Sequence, residues 1–130
     1  MFQINFAIMK SILQKSRKHD ISFHASGKID ISAHIARRLA LSPGDVIDIA
    51  QENGEWYLYV KLRSGSYAGR HDGRVWTTTR GKGTFRTWSK ALSNAVLSAA
   101  GTDGRLRCPC GAEIEINNTT YITIIYRCSL

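Results

Sequence analysis

Residues 27–60 read GKIDISAHIARRLALSPGDVIDIAQENGEWYLYV, and the order of elements in this stretch decides the fold. Ser26-Gly27-Lys28 is a turn, and Ile29-Asp30-Ile31 is a strand with both isoleucines on one face. Ser32 is suited to cap a helix. The helix runs from Ala33 to Ala40, with Ile35 and Leu39 four apart on its buried side and Arg37 and Arg38 pointing elsewhere. Ser42-Pro43-Gly44-Asp45 is a turn, with proline at its first central position. Val46-Ile47-Asp48-Ile49 is the next strand. Asn53-Gly54 is a strong hairpin signal. Trp56 to Val60 returns as a strand that is apolar on both faces and therefore expected to be covered on both. With the extended segment from Ile21 to Phe23 in front, residues 21–62 read β-turn-β-helix-β-hairpin-β.

Outward from this unit, residues 1–20 read as a leader or short helix, with Met9 as an alternative start. Residues 63–90 form a basic segment rich in glycine and aromatic residues. Beyond it, Trp88, Ala91, Leu92, Ala95, Val96 and Ala99 follow helical spacing, and this stripe is expected to be core. Gly101 stops the helix. A short strand follows from Arg105 to Cys108. Residues 112–116 then alternate, with Ile114 and Ile116 expected inward and Glu113 and Glu115 outward. Asn117-Asn118 turns the chain, and Thr120 to Tyr126 returns as a strand. Residues 91–130 are thus a helix plus a β-hairpin, expected to pack on the unit of residues 21–62. The fold class is α+β, mainly β.

The chain has 130 residues and a formal net charge of +8, and 43% of it is hydrophobic. That length suits one domain, or one domain with an appendage, and the composition is that of a folded protein. No apolar run approaches the ~20 residues of a membrane span. The first residues lack the order of a secretory signal, and three cysteines do not make a secreted disulfide framework. A cytoplasmic location is the expectation. The charge is concentrated. Residues 21–60 carry Lys28, Arg37 and Arg38 against five acids. Residues 61–90 carry Lys61, Arg63, Arg70, Arg74, Arg80, Lys82, Arg86 and Lys90 against Asp72 alone, a net +7. Residues 91–130 balance to zero. In the basic segment Tyr67, Trp76, Phe85 and Trp88 interleave with the cations. Cations neutralise phosphates and aromatic faces stack on bases, so nucleic acid is the expected partner.

Other chemistries find little support. Cys108-Pro109-Cys110 has one residue between its cysteines where a zinc knuckle usually has two, and only Cys128 and distant histidines are left to complete four ligands, so no metal site is expected. The four histidines, His19, His24, His34 and His71, show no cluster spacing. No nucleophile-base arrangement or paired carboxylates stand out, so neither an enzyme, nor a cofactor, nor a small-molecule substrate is expected. Arg80-Gly81-Lys82-Gly83-Thr84 lacks the phosphate-loop pattern but precedes a helix, where free N–H groups suit an anion.

The ungapped series from Gly27-Lys28 through Ile29-Asp30-Ile31, Ile35, Arg37, Leu39, Leu41 and Pro43-Gly44-Asp45 to Val46-Ile47-Asp48-Ile49 resembles the AbrB/MazE/SpoVT family of bacterial DNA-binding domains. Ala36 stands at the first place of that family's Arg-Arg pair, and Ser32 where its strand ends in proline. The resemblance implies a swapped-hairpin β-barrel in which two chains interleave, hence a homodimer. It also implies a transcriptional regulator that binds duplex DNA. Lys28 and Arg37 match the family's DNA-facing cations, with Arg38 one place along. Added to Arg70, Arg74, Arg80, Lys82 and Arg86 of the basic segment, they form the expected nucleic-acid site, with most phosphate contacts coming from residues 61–90. Two alternatives stand beside this reading. One is an antitoxin-like or structural interaction module that does not bind DNA. The other is a single-stranded nucleic-acid binder that stacks bases on Tyr67, Trp76 and Phe85.

Overall fold

The first two strands, β1 (Ile21–His24) and β2 (Lys28–Ile31), form an antiparallel hairpin that buries Ile21, Phe23, Ile29 and Ile31 and turns the intervening residues outward. The structure is a computed structural model describing residues 20–79 and 81–126. The expected leader, apart from Asp20, therefore lies outside the described residues, as do His19, Arg80 and Cys128.

Ser32 caps α1 (Ala33–Leu39) by accepting a hydrogen bond from the Ile35 amide at 3.3 Å. The helix buries Ile35, Ala36 and Leu39 and ends at Ala40 in the left-handed region. Strands β3 (Val46–Glu52) and β4 (Glu55–Leu62) follow, joined by Asn53 and Gly54, both at positive φ as the hairpin turn requires. Two short strands, β5 (Trp76–Thr77) and β6 (Phe85–Trp88), lie within the basic segment. The chain ends with α2 (Lys90–Ala100), β7 (Arg105–Cys108), β8 (Cys110–Ile116) and β9 (Thr119–Ile124).

These strands make two antiparallel sheets, in the orders β5-β6-β2-β1-β7 and β3-β4-β9-β8. The architecture is α+β and mainly β, with no closed barrel among the described residues. The hairpins β1-β2 and β3-β4 lie in different sheets, so residues 21–62 do not form a closed unit by themselves. Later strands cover their edges: β6 pairs with β2, β7 with β1 and β9 with β4. One apolar cluster joins both sheets and both helices, with Phe23, Ile35, Leu58, Val75, Val96 and Ile122 at its centre.

Three sequence expectations are corrected. First, the buried face of α2 is shifted from the expected stripe: Leu92 and Val96 pack in the core as expected, but the alanines do not. Ser93, Val96 and Leu97 are buried, whereas Ala91, Ala95 and Ala99 are exposed. Trp88 is not in the helix; it ends β6 and is 58% exposed. On the buried side of α2, Leu97 joins the core, and the Ser93 hydroxyl donates to the His24 carbonyl. Second, Ile114 and Ile116 face solvent, at 43% and 53% exposure. From Ala112 to Ile116 β8 is exposed on both faces, so Glu113 and Glu115 lie outward as expected but the two isoleucines do not lie inward. A register shift between Cys110 and Glu113 sets Ile114 opposite Tyr121 rather than opposite buried Ile122. Third, β4 is covered on one face only. Trp56 and Leu58 are buried, while Tyr57 and Tyr59 are half-buried on the other face, where Tyr59 packs against Tyr121 at 4.8 Å.

The segment from Arg63 to Val75 carries the chain from one sheet to the other and is pinned at both ends. Buried Asp45 accepts hydrogen bonds from the Ser42 and Ser64 amides at 2.9 and 2.6 Å, and from Arg63 at 2.9 Å. Arg63 also donates to the Leu39 and Ala40 carbonyls, closing the C-terminus of α1. Val75 is bonded to the Pro43-Gly44-Asp45 turn: the Gly44 N–H donates to the Val75 carbonyl, and the Val75 N–H to the Asp45 carbonyl. Gly73 sits at φ +84°, where a Cβ would lie 2.6 Å from the Ile47 carbonyl oxygen, so no larger residue fits.

Asp45→Ala would leave the Ser42 and Ser64 amides without their acceptor and the Arg63 guanidinium without its carboxylate. It is expected to destabilise the fold by about 3 kcal/mol in denaturant unfolding. A loss under about 1 kcal/mol would show that this carboxylate does not hold the crossover.

Candidate nucleic-acid interface

In an antiparallel sheet, directly paired residues share a face. The register of the five-stranded sheet therefore fixes what stands on its outer side. Trp76 pairs with Arg86, Arg86 with Asp30, Asp30 with Ser22 and Ser22 with Arg107. In the adjacent row Trp88 pairs with Lys28, and His24 with Arg105. The buried residues Ile29, Ile31 and Phe23 hold these strands from beneath. The outer face thus carries four cations, Lys28, Arg86, Arg105 and Arg107, and two indoles. A groove of about 480 Å³ runs between the cations, with His24 and Asp30 in its lining.

The charges on this face differ in how they are held. Arg86 is fixed by Asp30, Nε to Oδ1 at 2.6 Å. Lys28, Arg105 and Arg107 have no carboxylate partner among the described residues. His24 Nε2 is buried, makes no hydrogen bond and lies 3.6 Å from Asp30 Oδ2. Burial first, and then the nearby Lys28 ammonium, hold its pKa below the ordinary 6.5, against the opposing pull of Asp30. Trp76 is 50% exposed, and the Arg74 guanidinium lies over its ring at 4.6 Å from the centroid.

Of the site residues expected from sequence, Lys28 and Arg86 meet on this face. Arg74 borders it through Trp76. Lys82 is exposed in the turn between β5 and β6, and Arg80 lies outside the described residues. Arg70 is exposed in the crossover and Arg37 on α1, neither in the groove. Arg38 is spoken for: it bonds Glu113 at 2.8 Å and the Gly111 carbonyl at 2.9 Å, tying α1 to β8. Arg63, part of the basic surplus, serves Asp45. Phe85 is buried at 6% exposure and Tyr67 gives its hydroxyl proton to the Gly44 carbonyl, so neither is an open stacking platform.

Sequence reasoning missed Arg105, Arg107, His24 and the exposure of Trp88. The signal for the two arginines was present in Arg105-Leu106-Arg107, which puts both cations on one side of a strand. The neutral balance of residues 91–130 concealed it, because Glu113 and Glu115 belong to the other sheet. Among the described residues no group of three His, Cys, Asp or Glu side chains could hold a metal ion. Cys108 and Cys110 are buried, and the Cys110 amide donates to Asp20 at 2.8 Å. No described helix is long and apolar enough to cross a membrane. No family model, curated protein or solved structure gives a significant match to the chain.

Because the folded His24 resists protonation, the unfolded chain binds more protons as the pH drops below 6.5. The stability this group contributes is full above that value and is lost as the pH falls through the lowered folded pKa. Between pH 7.5 and 5.5 the melting temperature should fall less in His24→Gln than in the wild type. Parallel declines would contradict the assignment.

Proposed function

We propose that this chain is a small nucleic-acid-binding protein whose contact surface is the outer face of the five-stranded sheet. One observation carries the proposal. Lys28, Arg105 and Arg107, without carboxylate partners among the described residues, share that face with Arg86 and with two indoles at least half exposed. A protein gains nothing for its own fold by grouping unpaired like charges. Phosphates would release their counterions on meeting them.

The strand-strand-helix-strand-strand order of residues 21–62 supports the AbrB/MazE/SpoVT-type resemblance. With it comes the reading of a cytoplasmic DNA-binding regulator and not an enzyme. In this form of the reading, strands of the same chain occupy edges that a swapped partner would otherwise fill. The phosphate contacts then move from α1, where Arg38 is engaged by Glu113, to the sheet.

The test is a salt titration of oligonucleotide binding. Replacing Lys28, Arg105 and Arg107 together by Ala should weaken binding at low salt. It should also reduce the slope of log K against log salt by about 0.7–0.9 for each phosphate that the variant no longer neutralises. Arg37→Ala and Arg70→Ala should do less. If those two variants weaken binding more than the triple variant does, the sheet face is not the interface. If the wild type binds no nucleic acid at low salt, the protein is an interaction module of another kind.

A further inference from the structure

Resting on the nucleic-acid reading, we infer that the sheet face takes a single strand, with bases stacked on Trp76 and Trp88 and phosphates on Lys28, Arg86, Arg105 and Arg107. The indoles carry the inference. Trp76 pairs with Arg86, and Trp88 lies two residues beyond Arg86 on the same strand, so the two rings stand on one face as diagonal neighbours. Such neighbours lie about 7–8 Å apart, close enough to serve adjacent nucleotides. Both rings are at least half exposed, a costly placement for large apolar groups that are not needed to complete the core beneath them.

A duplex does not offer what these rings accept. Its base faces are buried in the stack, and only base edges and phosphates meet a protein. Edges are read by an element that enters a groove, most often a helix carrying several polar side chains. Here α1 is seven residues long and one of its two arginines is tied to Glu113. An unstacked strand exposes a π-face at every base and a phosphate at every step, matching indoles beside a row of cations. Arg74 over Trp76 extends that platform with a planar cation. Asp30, the face's own carboxylate, is held by Arg86, which limits its repulsion of a passing phosphate.

The experiment uses the full chain at low salt. The probes are oligothymidylate and oligouridylate of about 12 nucleotides, a length within the range a single sheet surface engages, and a random duplex. Single strands should quench tryptophan fluorescence and bind more tightly than duplex. Trp76→Ala and Trp88→Ala should each weaken single-strand binding about tenfold, with Trp88→Phe restoring most of the loss. The two probes also rank DNA against RNA, the two chemical sources of the same strand. Duplex binding as tight as single-strand binding would overturn the inference. So would tryptophan variants that bind unchanged while Arg105→Ala and Arg107→Ala bind weakly, though that result leaves the nucleic-acid reading intact. Absence of binding to every probe would overturn both.

Discussion

Asp45 is buried at 1% exposure, and its two carboxylate oxygens accept from the Ser42 amide, the Ser64 amide and the Arg63 guanidinium. Few groups in the chain tie together so much. Arg63 continues to the last carbonyls of α1, the Ser42 bond closes the turn before β3, and the Ser64 bond fixes where β4 ends. One carboxylate thus locks the helix, the turn and the departure of the crossover segment. A buried acid of this kind is tolerated because each of its oxygens is satisfied and its charge is matched. The exit of the chain from β4 follows from it, and so does the path back to the first sheet.

That path determines what the outer face becomes. The crossover returns beside the Pro43-Gly44-Asp45 turn, with Gly73 against the Ile47 carbonyl and Val75 in the core. Thr87 then donates to the Arg74 carbonyl, and Ser89 to Asp72, which ties the crossover to β6, itself paired with β2. Only in this arrangement do Trp76, Arg86 and Trp88 stand beside Lys28. On the opposite edge, β7 adds Arg105 and Arg107. The basic surplus of the sequence is therefore divided. Arg63 stabilises the crossover, while Arg86 joins cations from both ends of the chain to make one charged surface.

Much of the local structure was legible because it is dictated by single residues. Asn53-Gly54 specifies its hairpin turn, Ser32 and Gly101 mark helix ends, and the alternation of Ile29 and Ile31 places β2 correctly. What was not legible depends on partners distant in sequence. The buried face of α2 takes in Leu97 and Ser93, whose hydroxyl reaches the His24 carbonyl across 69 residues. The exposure of Ile114 and Ile116 goes with a register shift in β8 that local periodicity does not reveal. Arg38 stood beside a DNA-facing position of the resembled family, yet its partner Glu113 lies 75 residues away. Counting charge by segment pointed to residues 61–90 but passed over Arg105 and Arg107, because sheet pairing and not sequence proximity assembles the face.

The chain has three tryptophans, and they divide cleanly by position. Trp56 is buried and packs on Tyr126 at 5.4 Å, whereas Trp76 and Trp88 stand exposed among the cations. A proton–nitrogen correlation spectrum resolves their three indole N–H signals, and titration with a single-stranded oligonucleotide reports on each. The expected result is progressive shifts of the Trp76 and Trp88 signals, with backbone shifts in β2, β6 and β7, while Trp56 stays in place. Saturable binding that leaves the Trp76 and Trp88 signals unmoved would contradict the account.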